Sequence, residues 1–419
     1  MRRYDNYLDT GNEWLPKVPQ HWQAVKLKYC GLINPSSRNY DFERTSDDLV
    51  VFLPMEKVSE DGQITQDSRR EIQQVITGFT YFERNDILVA KITPCFENGK
   101  GALLKDLETN FGFGSTEFHV LRPTERIAKE FLFYITRTDL FKRNGEALMT
   151  GSAGQKRVPQ NFIEQLLIGL PPLQEQTEIA NYLDEKTAQI DTLIEKKQKL
   201  IELLKEEQKA ITNEAVSGEG KNWERKKLKY LGIIKYGLGQ PPRQLQNGLP
   251  LIRATNIDGG RVVEKDLIFV DPDDIPYDRD PVLRENDIIV VRSGAYTADS
   301  AIIPKKFEGS ITGYDMVVRI MNANPRYVAY CLLSDDVLIG QLYLHRLRAA
   351  QPHLNKEELG ETLINLPSIR EQNDIVENIV NQTEKIDAVI SKIYREIDLM
   401  QEYKTALISE VVTGKVKVI

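Results

Sequence analysis

The sequence repeats itself, and the repeat constrains the possible folds more than any other feature. Trp22-Gln-Ala-Val-Lys-Leu-Lys-Tyr returns as Trp223-Glu-Arg-Lys-Lys-Leu-Lys-Tyr, and Asn85-Asp-Ile-Leu-Val returns as Asn286-Asp-Ile-Ile-Val, each 201 residues on. Leu170-Pro-Pro-Leu-Gln-Glu-Gln matches Leu366-Pro-Ser-Ile-Arg-Glu-Gln at a spacing of 196. Ile190-Asp191 with Ile386-Asp387, and Glu214-Ala-Val-Ser-Gly218 with Glu410-Val-Val-Thr-Gly414, keep the 196 spacing. Matches in one order at nearly one offset make the chain a tandem duplication of roughly 200 residues.

Each copy has two parts. The first mixes short β-rich runs, such as Asp86–Ile92, Asp287–Arg292 and Met316–Ile320, with helical patches at Ala128–Phe141 and Arg326–Leu333, which reads as α+β. The second part is a long helix, opened by Pro171-Pro172 or Pro367 and closed by Gly218 or Gly414. Ile379, Ile386, Ile393, Met400 and Leu407 fall at seven-residue spacing, with Ile390, Ile397 and Val411 four residues after their neighbours. Leu183, Ile190, Leu204 and Ile211, with Ile194 and Ile201, repeat the pattern in the first copy, where Lys197 and Gln208 interrupt it.

Such seams can satisfy each other as an antiparallel coiled coil; the alternative is that each stripe packs on its own domain. A helix of this length runs to about 60 Å, too long for one small domain to cover. The expectation is a pair of α+β domains, residues 1–168 and 219–364, separated by helical spacers, residues 169–218 and 365–419. Antiparallel spacers would form a rod with a domain at each end, return residues near 419 to the first domain, and give the chain an internal pseudo-two-fold. Two-fold proteins meet DNA as paired half-sites.

Composition narrows the class. Of 419 residues, 41% are hydrophobic and 28% charged, a globular balance. The net charge of −7 excludes a uniformly basic chain. The acidity is local: residues 171–220 hold six Lys and Arg against eleven Asp and Glu, so the long domains are close to neutral and can still present a basic face. Three scattered cysteines argue against a disulfide scaffold or zinc ribbon. The absence of a leader-like apolar stretch or a membrane-length apolar run points to a cytoplasmic protein without a membrane partner.

The repeated motifs resemble those of the specificity subunit of type I restriction-modification systems. Gly11-Asn-Glu-Trp14-Leu-Pro-Lys-Val-Pro19-Gln-His-Trp22 is similar to the family's N-terminal signature, and Leu170–Gln176 and Leu366–Gln372 to the start of its two conserved helices. Gly151-Ser-Ala-Gly154-Gln-Lys-Arg157 resembles the loop closing a target recognition domain; in the second copy Leu347-Arg-Ala-Ala-Gln351-Pro-His-Leu-Asn355 lacks its Gly-x-x-Gly spacing. The resemblance implies two target recognition domains reading a bipartite, interrupted double-stranded DNA target. It also implies two methylation subunits and, in the full complex, restriction subunits. Under it this chain is a non-catalytic recognition subunit with no cofactor of its own, and S-adenosylmethionine, ATP and Mg belong to the partners.

The residues themselves offer little catalytic chemistry. No Asn/Asp/Ser-Pro-Pro-Tyr/Phe or Gly-x-x-x-x-Gly-Lys-Ser/Thr motif occurs. Phe111-Gly-Phe-Gly114 and Gly237-Leu-Gly239 lack the strand–glycine–helix setting of a phosphate loop, and Pro272-Asp273 lacks a following Asp/Glu-x-Lys. His21, His119, His345 and His353 show no ligand spacing, and Asp271–Asp280 reads as an acidic solvated turn. DNA reading requires basic and amide side chains on loops. Candidates at corresponding points of the copies are Lys91 and Lys100, Gln155, Lys156 and Arg157 in the first, and Arg292, Ser293, Arg346, Arg348 and Gln351 in the second. Any one of them can equally be a solvated surface charge. Lys226, Lys227 and Lys229 beside Trp223 form the densest basic run and read equally well as a strand flank. Two readings of other classes stay open: a duplicated coiled-coil adaptor that does not touch DNA, and a nuclease with an unrecognised site.

Overall fold

The computed structural model describes residues 2–37, 49–152, 154–346 and 353–418. They form two compact units: Met1–Lys197 with Arg395–Ile419, and Gln198–Tyr394. Each unit is built on the same antiparallel sheet. In the first, the order is Gly31–Ile33, Phe118–Pro123, Ile87–Ala90 and Gly101–Leu103; in the second, Gly232–Tyr236, Met316–Ile320, Ile288–Val290 and Ser300–Ile302. A companion sheet adds Arg69–Glu71, Leu49–Leu53, Phe111–Gly114 and Thr80–Glu83 to the first unit, and Ile268–Val270, Gln244–Ile252 and Ile311–Thr312 to the second. Phe111–Gly114 is thus an interior strand rather than a loop. A two-stranded ladder leads into each long helix, Gln23–Lys26 with Leu167–Leu170 and Glu224–Lys227 with Leu363–Leu366.

The repeated Asn-Asp-Ile fixes the central strand. Asn85 and Asn286 turn the chain through left-handed backbone, φ 74° and 68°, a conformation asparagine tolerates. The following aspartates, Asp86 and Asp287, are buried. Arg122 reaches Asp86 with Nε–Oδ1 2.8 Å and Nη2–Oδ2 2.7 Å, and Arg319 repeats both distances on Asp287. Each arginine also takes a second carboxylate, Glu83 or Asp280. Asp280 is therefore an ion-pair partner, bonded to Lys235 as well, and not the solvated turn residue expected from the sequence.

The first helical patch is two helices. Lys129–Arg137 stops at Thr138, whose backbone is extended and whose hydroxyl accepts from the Phe141 amide at 3.2 Å to start Asp139–Ala147. Ser334 makes the same break after Pro325–Leu333. A periodicity of apolar residues cannot show such a stop, because the pattern continues across it.

The long helices, Leu173–Val216 and Ile369–Val412, have 44 residues each. Between residues 188 and 210 of the first, only Ile190, Ile194, Lys197, Ile201, Leu204 and Gln208 escape full exposure, which is the heptad seam. In the first unit Asp191 accepts from Lys404 at 2.6 Å, Lys197 pairs with Glu396, and Leu183 shares a core with Leu407 and Val411. In the second, Gln208 donates to Asp387 Oδ1 at 2.8 Å and to the Thr383 carbonyl at 3.2 Å. Rising numbers on one helix meet falling numbers on the other, so the segments within each unit pair antiparallel. The two interruptions of the seam each make a cross-helix polar contact.

Both helices end on a left-handed glycine, Gly218 at φ 67° and Gly414 at φ 72°. A Cβ would lie 3.0 Å from the Trp223 ring at Gly218, and at Gly414 2.4 Å from Pro19 and 3.1 Å from the Trp22 ring, so each glycine also admits a close neighbour. The last segment of the chain completes the first unit: the Lys417 amide donates to the Arg2 carbonyl at 2.9 Å, and the Asp139 amide to Ser409 Oγ at 3.0 Å. The second unit has the latter contact too, from the Asp335 amide to Asn213 Oδ1 at 2.8 Å.

Asp86→Ala leaves the largely buried Arg122 with Glu83 alone and is expected to cost about 3 kcal/mol, whereas Asp86→Leu combined with Arg122→Met recovers most of that loss. Urea unfolding midpoints read both effects. Equal destabilisation by the single and double replacements would contradict this account of the pair.

Candidate nucleic-acid interface

In each unit the central strand ends at a corner to which the segment before the long helix returns. In the first, Ile92 pairs with Arg157 in an antiparallel bridge, the Lys91 amide donates to the Glu117 carbonyl at 2.8 Å, and the Val158 amide to the Lys91 carbonyl at 2.8 Å. In the second, Ser293 bridges His353, and the Leu354 amide donates to the Arg292 carbonyl at 2.8 Å. Two segments singled out separately in the sequence therefore meet at one place in each unit.

The side chains differ between corners. Lys91 is half-buried, while Gln155 and Lys156 are exposed. Arg157 is exposed but held by Glu117 through Nε–Oε2 at 2.9 Å and Nη2–Oε1 at 2.8 Å. The Arg157 guanidinium in turn holds the Glu117 carboxyl below the usual carboxylate range. Lys100 stands apart, its ammonium donating to the Met55 carbonyl at 3.2 Å. In the second unit Arg292 lies between two tyrosines, its guanidinium carbon 4.4 Å from the Tyr236 ring centre and 4.2 Å from that of Tyr314. Its Nη2 lies 3.4 Å from His353 Nε2, and Ser293 beside it is half-buried. Arg346 ends the helix Tyr343–Arg346, but its side chain, with Arg348 and Gln351, lies outside the described residues.

Sequence reasoning missed Tyr236, Tyr314 and His353. The repeat held the signal for two of them: at offsets of 197 and 196, Tyr314 and His353 stand where the first copy has Glu117 and Arg157. Asp315, next to Tyr314, was also missed. It is buried, and burial pushes its carboxyl up to about 6, against the pull of the Arg292 and Ala254 amides.

Exposed apolar residues recur at equivalent points as well. Tyr29 and Leu32 are 58% and 55% exposed, and Tyr230 and Ile233 are 57% and 55%. Lys28 and Lys229 stand over the two tyrosine rings at 5.1 and 5.3 Å. Lys227 and Lys229, from the basic run, both pair with Glu361. Among the described residues no group of three or more His, Cys, Asp or Glu is placed to hold a metal ion, and no helix is long and apolar enough to cross a membrane.

Repeated α+β units, heptad helices and paired polar corners define a duplicated scaffold. The family model described as the type I restriction modification DNA specificity domain matches residues 58–203 and 220–399, and the chain belongs to that family. It is 37% identical over 198 residues to the EcoAI specificity subunit of Escherichia coli, covering 45% of this chain and 33% of that protein. To the EcoKI specificity subunit of Escherichia coli K12 it is 22% identical, covering 71% and 67%. Alignment thus spans about a third of EcoAI and about two thirds of EcoKI. The fold is similar to a chain from a structure described as the basis of complex assembly and conformational transition of the type I R-M system, with TM-score 0.75, 18% identity and coverage of 95% and 99%. It is also similar to the HsdS subunit of Thermoanaerobacter tengcongensis, with TM-score 0.55, 18% identity and coverage of 95% and 98%.

Asp315 supplies a pH dependence. Because its folded pKa lies above its unfolded one, the native state keeps a proton that the unfolded chain releases between about pH 4 and 6. That contribution is present in full below the unfolded pKa and is lost as pH rises through the folded one, by up to about 3 kcal/mol. Denaturation of the second unit is expected at lower urea at pH 7 than at pH 5, with the difference reduced in Asp315→Asn. An unchanged difference in that variant would remove Asp315 as the cause.

Proposed function

We propose that the chain is a sequence-specific DNA-binding specificity subunit of a cytoplasmic type I restriction-modification complex, reading a bipartite interrupted target. Residues 1–168 and 219–364 act as the target recognition domains, and residues 169–218 and 365–419 as spacers. The observation that carries the reading is the recurrence of one corner on one frame with different polar side chains: Lys91, Glu117 and Arg157 in one unit, Arg292, Tyr314 and His353 in the other. A frame kept and side chains changed is what two half-sites of different sequence require. Arginine and lysine there suit guanine or phosphate, and the exposed Gln155 suits adenine.

Duplicated outer surfaces support two copies of one partner, the methylation subunit. Tyr29 with Leu32 and Tyr230 with Ile233 present matching apolar patches, and Leu193 matches the exposed Val389 as Leu203 matches Leu399. Restriction subunits complete the full complex. S-adenosylmethionine, ATP and Mg are used on those partners, and the flipped adenine is methylated there.

Co-expression with the methylation subunit in a methylation-free host, followed by single-molecule sequencing for modified adenine, tests the reading. The expected product is a motif with two specified halves around an unspecified centre, absent when this chain is omitted. Arg292→Ala is expected to relax one half alone and Lys156→Ala to weaken the other, by about 10- to 100-fold for a lost base contact. Methylation at an uninterrupted motif, or methylation without this chain, would overturn it.

A further inference from the structure

The two units differ where the start of the chain packs. In the first, Tyr4 is buried against Trp22, ring centres 5.9 Å apart, and its hydroxyl donates to Glu175 Oε1 at 2.8 Å. The Trp22 indole donates to the same oxygen at 3.1 Å, and His21 lies 2.8 Å from the other. Tyr7 donates to the Lys415 carbonyl at 3.3 Å, and Arg2 pairs with Lys417. A short arm, Arg2–Tyr7, thus fills the angle between the start of one long helix and the end of the other.

The second unit has the walls of this site without the arm. At the repeat offsets Trp223 stands for Trp22, Glu371 for Glu175 and Glu219 for Lys415. The residues before Trp223 belong to the first long helix and its terminal turn, so this copy has no arm of its own to supply. Trp223 is half-buried where Trp22 is 2% exposed, and a groove of about 560 Å³ opens beside it. Glu214, Glu219, Glu371 and Asp374 line that groove against Lys221 alone among cations.

We propose that this groove docks a short basic, tyrosine-bearing arm of a partner chain, seated as Arg2–Tyr7 are seated in the first unit. The tyrosine ring would pack on Trp223, its hydroxyl would donate to Glu371, and the flanking cations would face the acidic rim. Replacement of Lys415 by Glu219 at the rim makes the second site the more acidic of the two, and so favours a more basic arm. The inference is independent of DNA reading.

A fluorescent peptide of residues 2–7, Arg-Arg-Tyr-Asp-Asn-Tyr, titrated with the full chain and followed by anisotropy, tests it without DNA. Saturable binding below about 1 mM is expected, weakened about tenfold by phenylalanine at the peptide's first tyrosine. Asp374→Lys, on the exposed rim, and Glu371→Gln are each expected to weaken it similarly, while Glu175→Gln leaves it unchanged. Absence of saturable binding would overturn the proposal. So would binding that depends on Glu175 and ignores Asp374, since the peptide would then be exchanging with the chain's own arm.

Discussion

One buried amide side chain sets the direction in which each long helix leaves its domain. Gln176 accepts from the Ala128 amide at 2.7 Å and donates to the Pro171 carbonyl at 2.9 Å; Gln372 accepts from the Asn324 amide at 2.8 Å and donates to the Pro367 carbonyl at 2.9 Å. Ala128 and Asn324 are the caps of the domain helices, and the prolines precede the long ones. The amide carries both the donor and the acceptor that the two backbone groups require; a carboxylate lacks the first and a thioether satisfies neither. With both glutamines nearly inaccessible to water, a mismatch would leave a buried polar group unpaired, so helix and domain are joined at a fixed angle. The neighbouring Glu175 tightens the joint by holding Trp22.

From that joint the seam sets register. A wholly apolar heptad seam tolerates a slip of one heptad, because it buries nearly the same area either way. Lys197 against Glu396, and Gln208 against Asp387, do not: a slip would separate each from its partner. The equivalence of Gln208–Asp387 to Lys404–Asp191 shows the duplication acting on the contact itself, since both members are displaced by 196 residues. Polar interruptions that weaken the pattern in the sequence are the features that define its alignment.

The frame was legible because duplication wrote it twice. Prolines and glycines bracket the long helices to within a few residues, and Asn85-Asp86 marked a strand whose cause, the buried Arg122 pair, lies 36 residues away and has no local trace. The break at Thr138 was hidden, because an extended residue between two amphipathic helices leaves the apolar rhythm intact. At the candidate interface the sequence carries no trace of the side chains' partners. Counting basic residues located Arg157 and Arg292, but not that one is held by Glu117 and the other by two tyrosines, since those partners arrive from other strands. Lys100 likewise has a partner that the sequence does not show, the Met55 carbonyl that its ammonium meets.

The corners show how one frame can carry different side chains. Their geometry is carried by main-chain bridges, Ile92 to Arg157 and Ser293 to His353, which do not depend on side-chain identity. Chemistry can therefore change without moving the backbone. An arginine paired with a glutamate offers a donor and an acceptor side by side, and a carboxylate can accept a hydrogen bond from the cytosine amino group. The Arg292 guanidinium carbon lies 4.4 and 4.2 Å from the two ring centres, and a guanidinium edge is the group that meets guanine in two hydrogen bonds. The same main-chain corner thus carries an ion pair in one unit and an arginine between two tyrosines in the other, so that exchange of these few side chains alters its chemistry and leaves the fold as it is.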